Sequence, residues 1–450
     1  MKNWFYKRQK EAEKLWNGRY YCIILLAITA AALILHANVP AMLLLVAVCT
    51  YFLIFSDDLL TIVMPLMLTF LLGSTYFKDL TVLMKYLPFA VIPFAAAVVF
   101  NLVKYRRPYV KGKMLYPLIA VSLALIIGGV GTIPLEEYLL PINFYYVLGL
   151  GAFMIVIYCL CLSRLQNERE YDRLERMAKI LCFVGFAAVI TVLVFCADNL
   201  ETILRKGRLI FYKPRNFISS VLLMSMPAAC YYIKNKSDWH IFSLLAMYLG
   251  MVLTGSRSGL LFGSALLLVC AVYVYVTNKK SRKLYNILLL ILIVPVGYAL
   301  IRFVPALYSG RLTNGSLISA DETRVKFIKL GIEDFLSHPI IGIGMSNQKN
   351  IGIFPGFFPG CLVFYHNIVI QIPASLGVVG IGAFLWQFAE RVRLCLKTRR
   401  SEYFIFTMSY AGILMMSLTN PGILCPFPET GLLVLMFAMM EHFLSSKKAE

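Results

Sequence analysis

The chain has 450 residues, of which 60% are hydrophobic and 15% are charged, and its formal net charge is +20. This is more apolar surface than one water-soluble core could bury, so the composition excludes an ordinary soluble domain. The basic residues lie in short links between apolar runs rather than on one soluble face, which argues against a nucleic-acid partner.

The apolar runs predict membrane-spanning helices along the whole chain. Runs of about 17 to 25 residues, enough to cross about 30 Å of hydrocarbon as helix, recur from Tyr20 to Phe443. The first, "YYCIILLAITAAALILH", follows a basic segment as a signal sequence would, and we interpret it as an uncleaved first helix. We therefore expect an all-α polytopic membrane protein, with 1–450 forming a single integral membrane domain.

Lysines and arginines indicate the orientation of these helices. Of the 43, twenty-nine lie in seven links, and the apolar runs between those links number four, two, two, two, two and two. Because every number is even, all seven links can be cytoplasmic. The positive-inside rule then predicts about fourteen spans with both termini in the cytoplasm. The acidic "SDD" at 56–58 would be cytoplasmic too, but acidic residues weigh little in this rule.

This topology leaves an unusual group of cations outside. "LRKGRLIFYKPRNF" contains five, namely Arg205, Lys206, Arg208, Lys213 and Arg215. Arg257 lies in the turn "TGSRSG", and the long link 304–365 adds Arg311, Arg324, Lys326, Lys329 and Lys349. Because the positive-inside rule favours cations on the cytoplasmic side, cations predicted on the outer side indicate a functional role. Snorkelling to lipid headgroups is the alternative, and it is weaker for Arg215 and Arg257.

The long external link, 304–365, contains a predicted helix followed by turns. "DETRVKFIKLGIEDFLSHP" places Val325, Ile328, Ile332 and Phe335 at helical spacing, which predicts an amphipathic helix on the outer surface, ended by His338 and Pro339. Glycine and proline turns follow and suit a lid or a sugar-binding surface. The adjacent acidic pairs at 321–322 and 333–334 are interpreted as helix caps or solvated positions, because no external D-x-D metal clamp is present in the sequence.

Two kinds of side chain suggest chemistry at this surface. Arginines at span ends suit a diphosphate, because a guanidinium donates paired hydrogen bonds to phosphate oxygens. His366 and Asn367 open the span that follows the long link. An imidazole titrates near neutrality, so His366 could take the proton from an acceptor hydroxyl. Two fixed arginines could stabilise the departing diphosphate without a metal ion or other cofactor.

These segments together resemble the O-antigen ligase and polysaccharide polymerase family. The resemblance rests on "TGSRSG" at a span boundary, an arginine in the preceding external link, a long external loop holding "R…HPIIGIG", and "HN" opening the next span with "GVVGIG" behind it. It covers roughly 179–382, and the rest of the chain only as a hydrophobic scaffold.

The resemblance implies a GT-C-like glycosyltransferase on the outer face of the bacterial cytoplasmic membrane. Its donor would be an undecaprenyl-diphosphate-linked glycan and its acceptor a glycan or glycolipid. Arg215 and Arg257 match the arginines assigned to the donor diphosphate, and His366 the histidine assigned to the acceptor. Arg324 matches a further arginine position, and Asn367 joins the predicted substrate-binding set. The predicted count of about fourteen spans departs from the dozen that is usual in this family.

Other functions stay open at this point. A flippase or other transporter of lipid-linked glycans would share the membrane setting, but no internal repeat is evident and the unusual charges gather on one side. A scaffold without activity would tolerate replacement of Arg215, Arg257 and His366. Within the transferase class, ligase and polymerase differ in the acceptor, which the sequence leaves undecided. Most of the eleven cysteines fall within or beside apolar runs, and only Cys361 and Cys425 are placed so that they could form a disulfide.

Overall fold

The computed structural model describes residues 2–18, 20–75, 80–108, 110–130, 146–164, 170–206, 215–278, 316–345, 365–420 and 422–446. Every regular element in these ranges is helical, as predicted. The sixteen described α-helices are α1 Lys2–Asn17, α2 Tyr21–Ile34, α3 Asn38–Phe55, α4 Leu60–Thr75, α5 Leu80–Lys104, α6 Leu115–Val130, α7 Phe153–Arg164, α8 Glu170–Asp198, α9 Leu200–Lys206, α10 Arg215–Asn235, α11 Ile241–Leu253, α12 Arg257–Thr277, α13 Ser316–Ser337, α14 Ile368–Thr398, α15 Phe404–Ser417 and α16 Gly431–Ser446.

The helices support membrane insertion and leave the span count as a prediction. Among the described residues, seven helices are long and apolar enough to cross a membrane, and joining α1 to α2 across their bend makes at most eight. Five further apolar helices have 10–17 residues. Several of the predicted features lie outside the described residues, namely the apolar run at 286–301, the cations Arg208, Lys213, Arg311 and Lys349, and Cys361. The boundaries 1–450, 304–365 and 179–382 also remain predictions.

The chain forms two compact units. Unit 1 comprises Met1–Tyr109, Ser163–Lys206 and Ile210–Thr277, and unit 2 comprises Val110–Leu162, Gly207–Leu209 and Asn278–Glu450. In unit 1, α8 contacts α2, α4, α10 and α11. The side chains of α10 are buried over most of its length because small and apolar residues lie all around it.

One face of unit 1 gathers basic links that lie far apart in sequence. Asp57 forms an ion pair with Arg107, and Asp58 forms one with Arg176. The acidic "SDD" therefore lies among basic links, as the predicted topology requires. Glu175, which precedes Arg176 on α8, forms an ion pair at 2.8 Å with the ammonium of Lys236. Lys236 is the residue directly after the end of α10. Because α10 ends at this basic face, it begins at the opposite end of unit 1.

In unit 2, α13 and α6 both pack against α14. The amphipathic helix predicted in the long link is α13, and it ends at Ser337, directly before His338 and Pro339, as expected. Its buried face comprises Phe327, Gly331 and Asp334. The predicted apolar stripe lies elsewhere on the helix, and Val325 and Ile332 in it are exposed.

Candidate functional site

Arg215 and Arg257 each begin a helix, and these two helix ends are hydrogen-bonded to each other. Arg215 is the first residue of α10 and Arg257 the first of α12. Ser256, directly before Arg257, donates from Oγ to the Oδ1 of Asn216, directly after Arg215, at 2.9 Å. The amino ends of α10 and α12 are therefore held together, at the end of unit 1 away from its basic face.

The contact between α10 and α12 explains why the turn "TGSRSG" contains small residues. Gly255 has a φ of 70°, a left-handed conformation that glycine adopts without steric cost. Ser256 Oγ accepts a hydrogen bond from the Gly259 amide at 3.1 Å and so caps α12. Ser219 and Thr254 bring their hydroxyls to 3.1 Å. A Cβ on Gly259 would stand 2.5 Å from the Ser219 hydroxyl, so a glycine is needed for α12 to approach α10 this closely.

The electrostatics of these two helix ends favour an anion. Each helix amino end carries a partial positive charge of about half an elementary charge, and free amide groups there donate to phosphates. The side chains that join the ends are hydroxyls and one amide, which add no negative charge. Arg215 and Arg257 are both half-buried, so their guanidiniums are partly shielded from water. The arrangement therefore favours an anionic ligand such as a phosphate over a neutral one.

In unit 2, His366 lies between α13 and α14 beside a buried polar contact. The Tyr365 phenol donates to the carboxylate of Asp334, which is only 6% exposed. From α13, Phe327 also contacts the His366 ring edge-on, with ring centroids 5.5 Å apart. The interpretation of Asp334 as a cap or solvated position is therefore wrong: it is buried and fastens α13 to the residue before His366.

The backbone of His366 is strained and is held from both sides. Its φ is 55°, in the left-handed region, which costs a non-glycine residue about 1–3 kcal/mol. On one side the Tyr365 amide donates to Gln371 Oε1 at 2.9 Å. On the other, Asn367 caps α14 by accepting from the Val369 amide at 2.8 Å. Asn367, predicted to bind substrate, thus has a described role as a helix cap.

Burial and, to a lesser degree, the nearby Arg324 guanidinium lower the pKa of His366 to about 4. The imidazole is therefore neutral near pH 7 and free to accept a proton. Arg324 lies on α13 one helical turn before Phe327 and is half-buried. The structure thus brings Arg324 and His366 together in unit 2, and in unit 1 it joins the two helix ends that begin with Arg215 and Arg257.

A break in α14 accounts for Gly342 in "HPIIGIG" and Gly377 in "GVVGIG". Gly377 has a φ of 59° and interrupts the helix. Residues 339–344 lie along this break and exchange backbone hydrogen bonds with 374–379, at 2.8 to 3.2 Å. A Cβ on Gly377 would stand 2.3 Å from the Ile340 carbonyl oxygen, and one on Gly342 would stand 2.3 Å from the Leu376 nitrogen. This close pairing joins the end of α13 to α14 and so helps to fix the segment that carries His366.

Three supporting residues were missed by the sequence reasoning: Asn216, Asp334 and Tyr365. The adjacency of Asn216 to Arg215 and of Tyr365 to His366 was a usable signal. No local pattern marks Asp334, because its partner lies 31 residues away. In the described part of the chain, no group of three His, Cys, Asp or Glu side chains could hold a metal ion, and metal independence remains a prediction.

Comparison with known families supports the resemblance found in the sequence. Residues 242–385 match the family described as O-antigen ligase. The matched range contains Arg257, Arg324, His366 and Asn367, and it leaves Arg215 outside. No curated protein and no solved structure matches the chain.

Proposed function

Because this chain carries an O-antigen ligase domain, we propose that it transfers a glycan from an undecaprenyl-diphosphate-linked donor to an acceptor hydroxyl during assembly of a cell-surface polysaccharide. The observation that carries the proposal is the hydrogen-bonded pair of helix ends that begin with Arg215 and Arg257. A diphosphate-linked donor carries concentrated negative charge, and two helix amino ends that each begin with an arginine favour such an anion.

At the donor end, Arg215 and Arg257 bind the diphosphate. As the bond between the anomeric carbon and the phosphate oxygen breaks, the diphosphate leaves with the bonding electron pair, and its negative charge grows. Donors fixed in place before the reaction stabilise that charge more than mobile water does. The two guanidiniums and two helix ends provide this charge themselves, which supports a reaction without a metal ion.

At the acceptor end, His366 acts as the general base. The acceptor oxygen attacks the anomeric carbon of the donor sugar while its proton passes to the neutral imidazole. The lowered pKa keeps His366 unprotonated near neutral pH, so the imidazole can accept the proton. Arg324 contributes a further positive charge next to the imidazole.

We also propose a GT-C-like arrangement with about fourteen spans, both termini in the cytoplasm and the reaction on the outer face. The gathering of basic links on one face of unit 1 supports this orientation, because Arg215 and Arg257 begin helices at the opposite end. Single cysteines at Arg205 and Lys236 would test it. A membrane-impermeant thiol reagent should label the first from outside intact cells and the second only after the membrane is opened.

The decisive experiment uses the purified protein in liposomes with a lipid-linked donor and a glycan acceptor. Arg257→Ala should lower the transfer rate by about 10²- to 10³-fold, the cost of losing one fixed donor to a developing charge. Arg205→Ala is the matched control, because Arg205 is also predicted to lie on the outer side but is exposed at the end of α9. Chelation of metal ions should leave the rate unchanged. Equal rates for Arg257→Ala and Arg205→Ala would reject the proposed donor site.

A transporter of lipid-linked glycans remains the second candidate, since interrupted helices such as α14 also occur in transporters. In α14, however, the amides of Val378 and Val379 bind the carbonyls of Pro339 and Ile340. These groups hold protein backbone rather than a substrate. Movement of donor across the liposome membrane without any glycosidic product would favour the transporter.

A further inference from the structure

The amino-terminal helix α1 has one side that packs against unit 1. This side comprises Phe5, Gln9, Ala12 and Trp16, at alternating spacings of four, three and four residues. Ala12 is fully buried and Trp16 is 2% exposed. Gln9 donates from Nε2 to the Tyr105 hydroxyl at 3.2 Å, at the basic face. Helix α1 is therefore fixed to the folded unit mainly by this side, and the exposed Trp4 ring also contacts Phe55 of α3, with ring centroids 5.6 Å apart.

The direction of α1 differs from that of the helix it precedes. The segment Trp4–Asn17 is bent by 73° from α2, Tyr21–Ile34. If α2 crosses the bilayer, α1 runs close to the plane of the membrane surface. An amphipathic helix in that plane keeps its apolar side chains at the headgroup boundary and its cations among the headgroups.

The exposed side of α1 has the composition of an amphipathic helix that lies at a membrane surface. Lys7, Lys10 and Lys14 are exposed and share one stripe, because residues three and seven positions apart align on a helix. Along one edge, Trp4 is 55% and Leu15 is 43% exposed. Tryptophan favours the interface between lipid and water, and clustered lysines favour anionic headgroups.

The carboxylates of α1 do little to neutralise this stripe. Glu11 forms an ion pair with Arg8 at 2.8 Å, with both side chains on the exposed part of the helix. Glu13 lies within electrostatic reach of Arg176, and the three lysines outnumber it. The net charge of the outward side is positive, and it complements a membrane surface that carries phosphate.

We propose that Lys7, Lys10 and Lys14 bind the headgroups of anionic phospholipids, with Trp4 and Leu15 lying in the interface beside them. This surface anchors the basic face of unit 1 to the membrane. The inference concerns α1 alone and does not depend on the proposed glycan transfer.

The test measures tryptophan quenching in the full-length protein in nanodiscs. Brominated phosphatidylglycerol or brominated phosphatidylcholine is added at equal mole fraction to the same lipid matrix. The contribution of Trp4 is the difference between the unchanged protein and Trp4→Phe, which leaves the buried Trp16 in place. We expect brominated phosphatidylglycerol to quench Trp4 about fivefold more, the effect of roughly one lysine–headgroup interaction.

In the variant with Lys7, Lys10 and Lys14 all changed to Gln, both brominated lipids should quench Trp4 equally. In the variant with the same three residues changed to Arg, the stronger quenching by brominated phosphatidylglycerol should remain. The matched control replaces Lys397, Arg399 and Arg400, which are also exposed, with Gln. It removes the same charge and should leave the preference unchanged. Equal quenching in the unchanged protein, or a preference that survives the Gln changes in α1, would overturn the proposal.

Discussion

Arg215 and Arg257 stand at the amino ends of regular helices, whereas His366 stands in a left-handed backbone conformation between two helices. The arginine pair is supported by a neutral hydrogen bond between Ser256 and Asn216, each of which is adjacent to one of the arginines. The histidine depends on support from another helix, through the contact between Tyr365 and Asp334. Positive charge that acts by electrostatic attraction needs no exact position, and residues at helix ends can provide it. The proposed base must meet one proton and so needs a defined position, and the backbone at His366 is strained.

The largest expected effect comes from replacing the histidine without disturbing its backbone. His366→Asn should lower the transfer rate by about 10²- to 10⁴-fold, because the general base is lost. Asparagine tolerates the left-handed conformation, so the thermal unfolding temperature should stay close to that of the unchanged protein. His338→Asn, in the same external link, is the control. A His366→Asn protein with normal transfer would remove the histidine from the mechanism.

The next effect concerns the break in α14, which has no counterpart at the arginine pair. Gly377→Ala should destabilise the protein by about 3 kcal/mol, because it adds a Cβ at positive φ against the Ile340 carbonyl. The measurement is the thermal unfolding temperature in detergent. Gly382→Ala, in the same helix, is the matched control, since its added Cβ meets nothing within 4 Å. If both variants unfold at one temperature, the close backbone pairing does not support α14.

A smaller effect should follow from weakening the distant support of His366. Tyr365→Phe removes the hydroxyl that donates to Asp334, at a cost of about 1–3 kcal/mol in stability. As a positioning residue, Tyr365 should affect the rate constant about tenfold, while the Michaelis constant for the donor stays nearly unchanged. The pH profile should also move toward that of an ordinary histidine. A change confined to the unfolding temperature would show that Tyr365 stabilises the fold without positioning the base.

The smallest effect is a pH dependence that separates the two regions. Arginine stays charged throughout, so of the three proposed catalytic residues, Arg215, Arg257 and His366, the histidine is the one that should titrate between pH 4 and 7. With a pKa of about 4, the neutral base persists at pH 5.5, and kcat/KM should fall only as pH approaches 4. Stability should decline over the window from about 6.5 to 4, because the unfolded chain binds the proton first. A midpoint near 6.5 in the rate profile would contradict the buried, cation-adjacent site.

Several supporting features were not predictable from local pattern. The small residues of "TGSRSG" indicated a tight turn, but not that Ser256 would bond to Asn216. The spacing on α13 predicted an amphipathic helix correctly, yet its packed face differs from the apolar stripe because Phe327, Gly331 and Asp334 meet α14 and Tyr365. An acidic residue on a helix is usually solvated, and only its tertiary neighbours make Asp334 an exception.

The sequence by itself determined the all-helical membrane class, because runs of apolar residues can satisfy their backbone in lipid only as helices. It also indicated the resemblance to the O-antigen ligase family and the residue types at the proposed site, because charge and small residues at span ends are local features. Tertiary structure alone decided which side chains support them. The Ser256–Asn216 bond, the Tyr365–Asp334 contact and the pairing of 339–344 with α14 join residues 31 or more positions apart in sequence. Such contacts depend on how helices pack, and no periodicity within one helix encodes them.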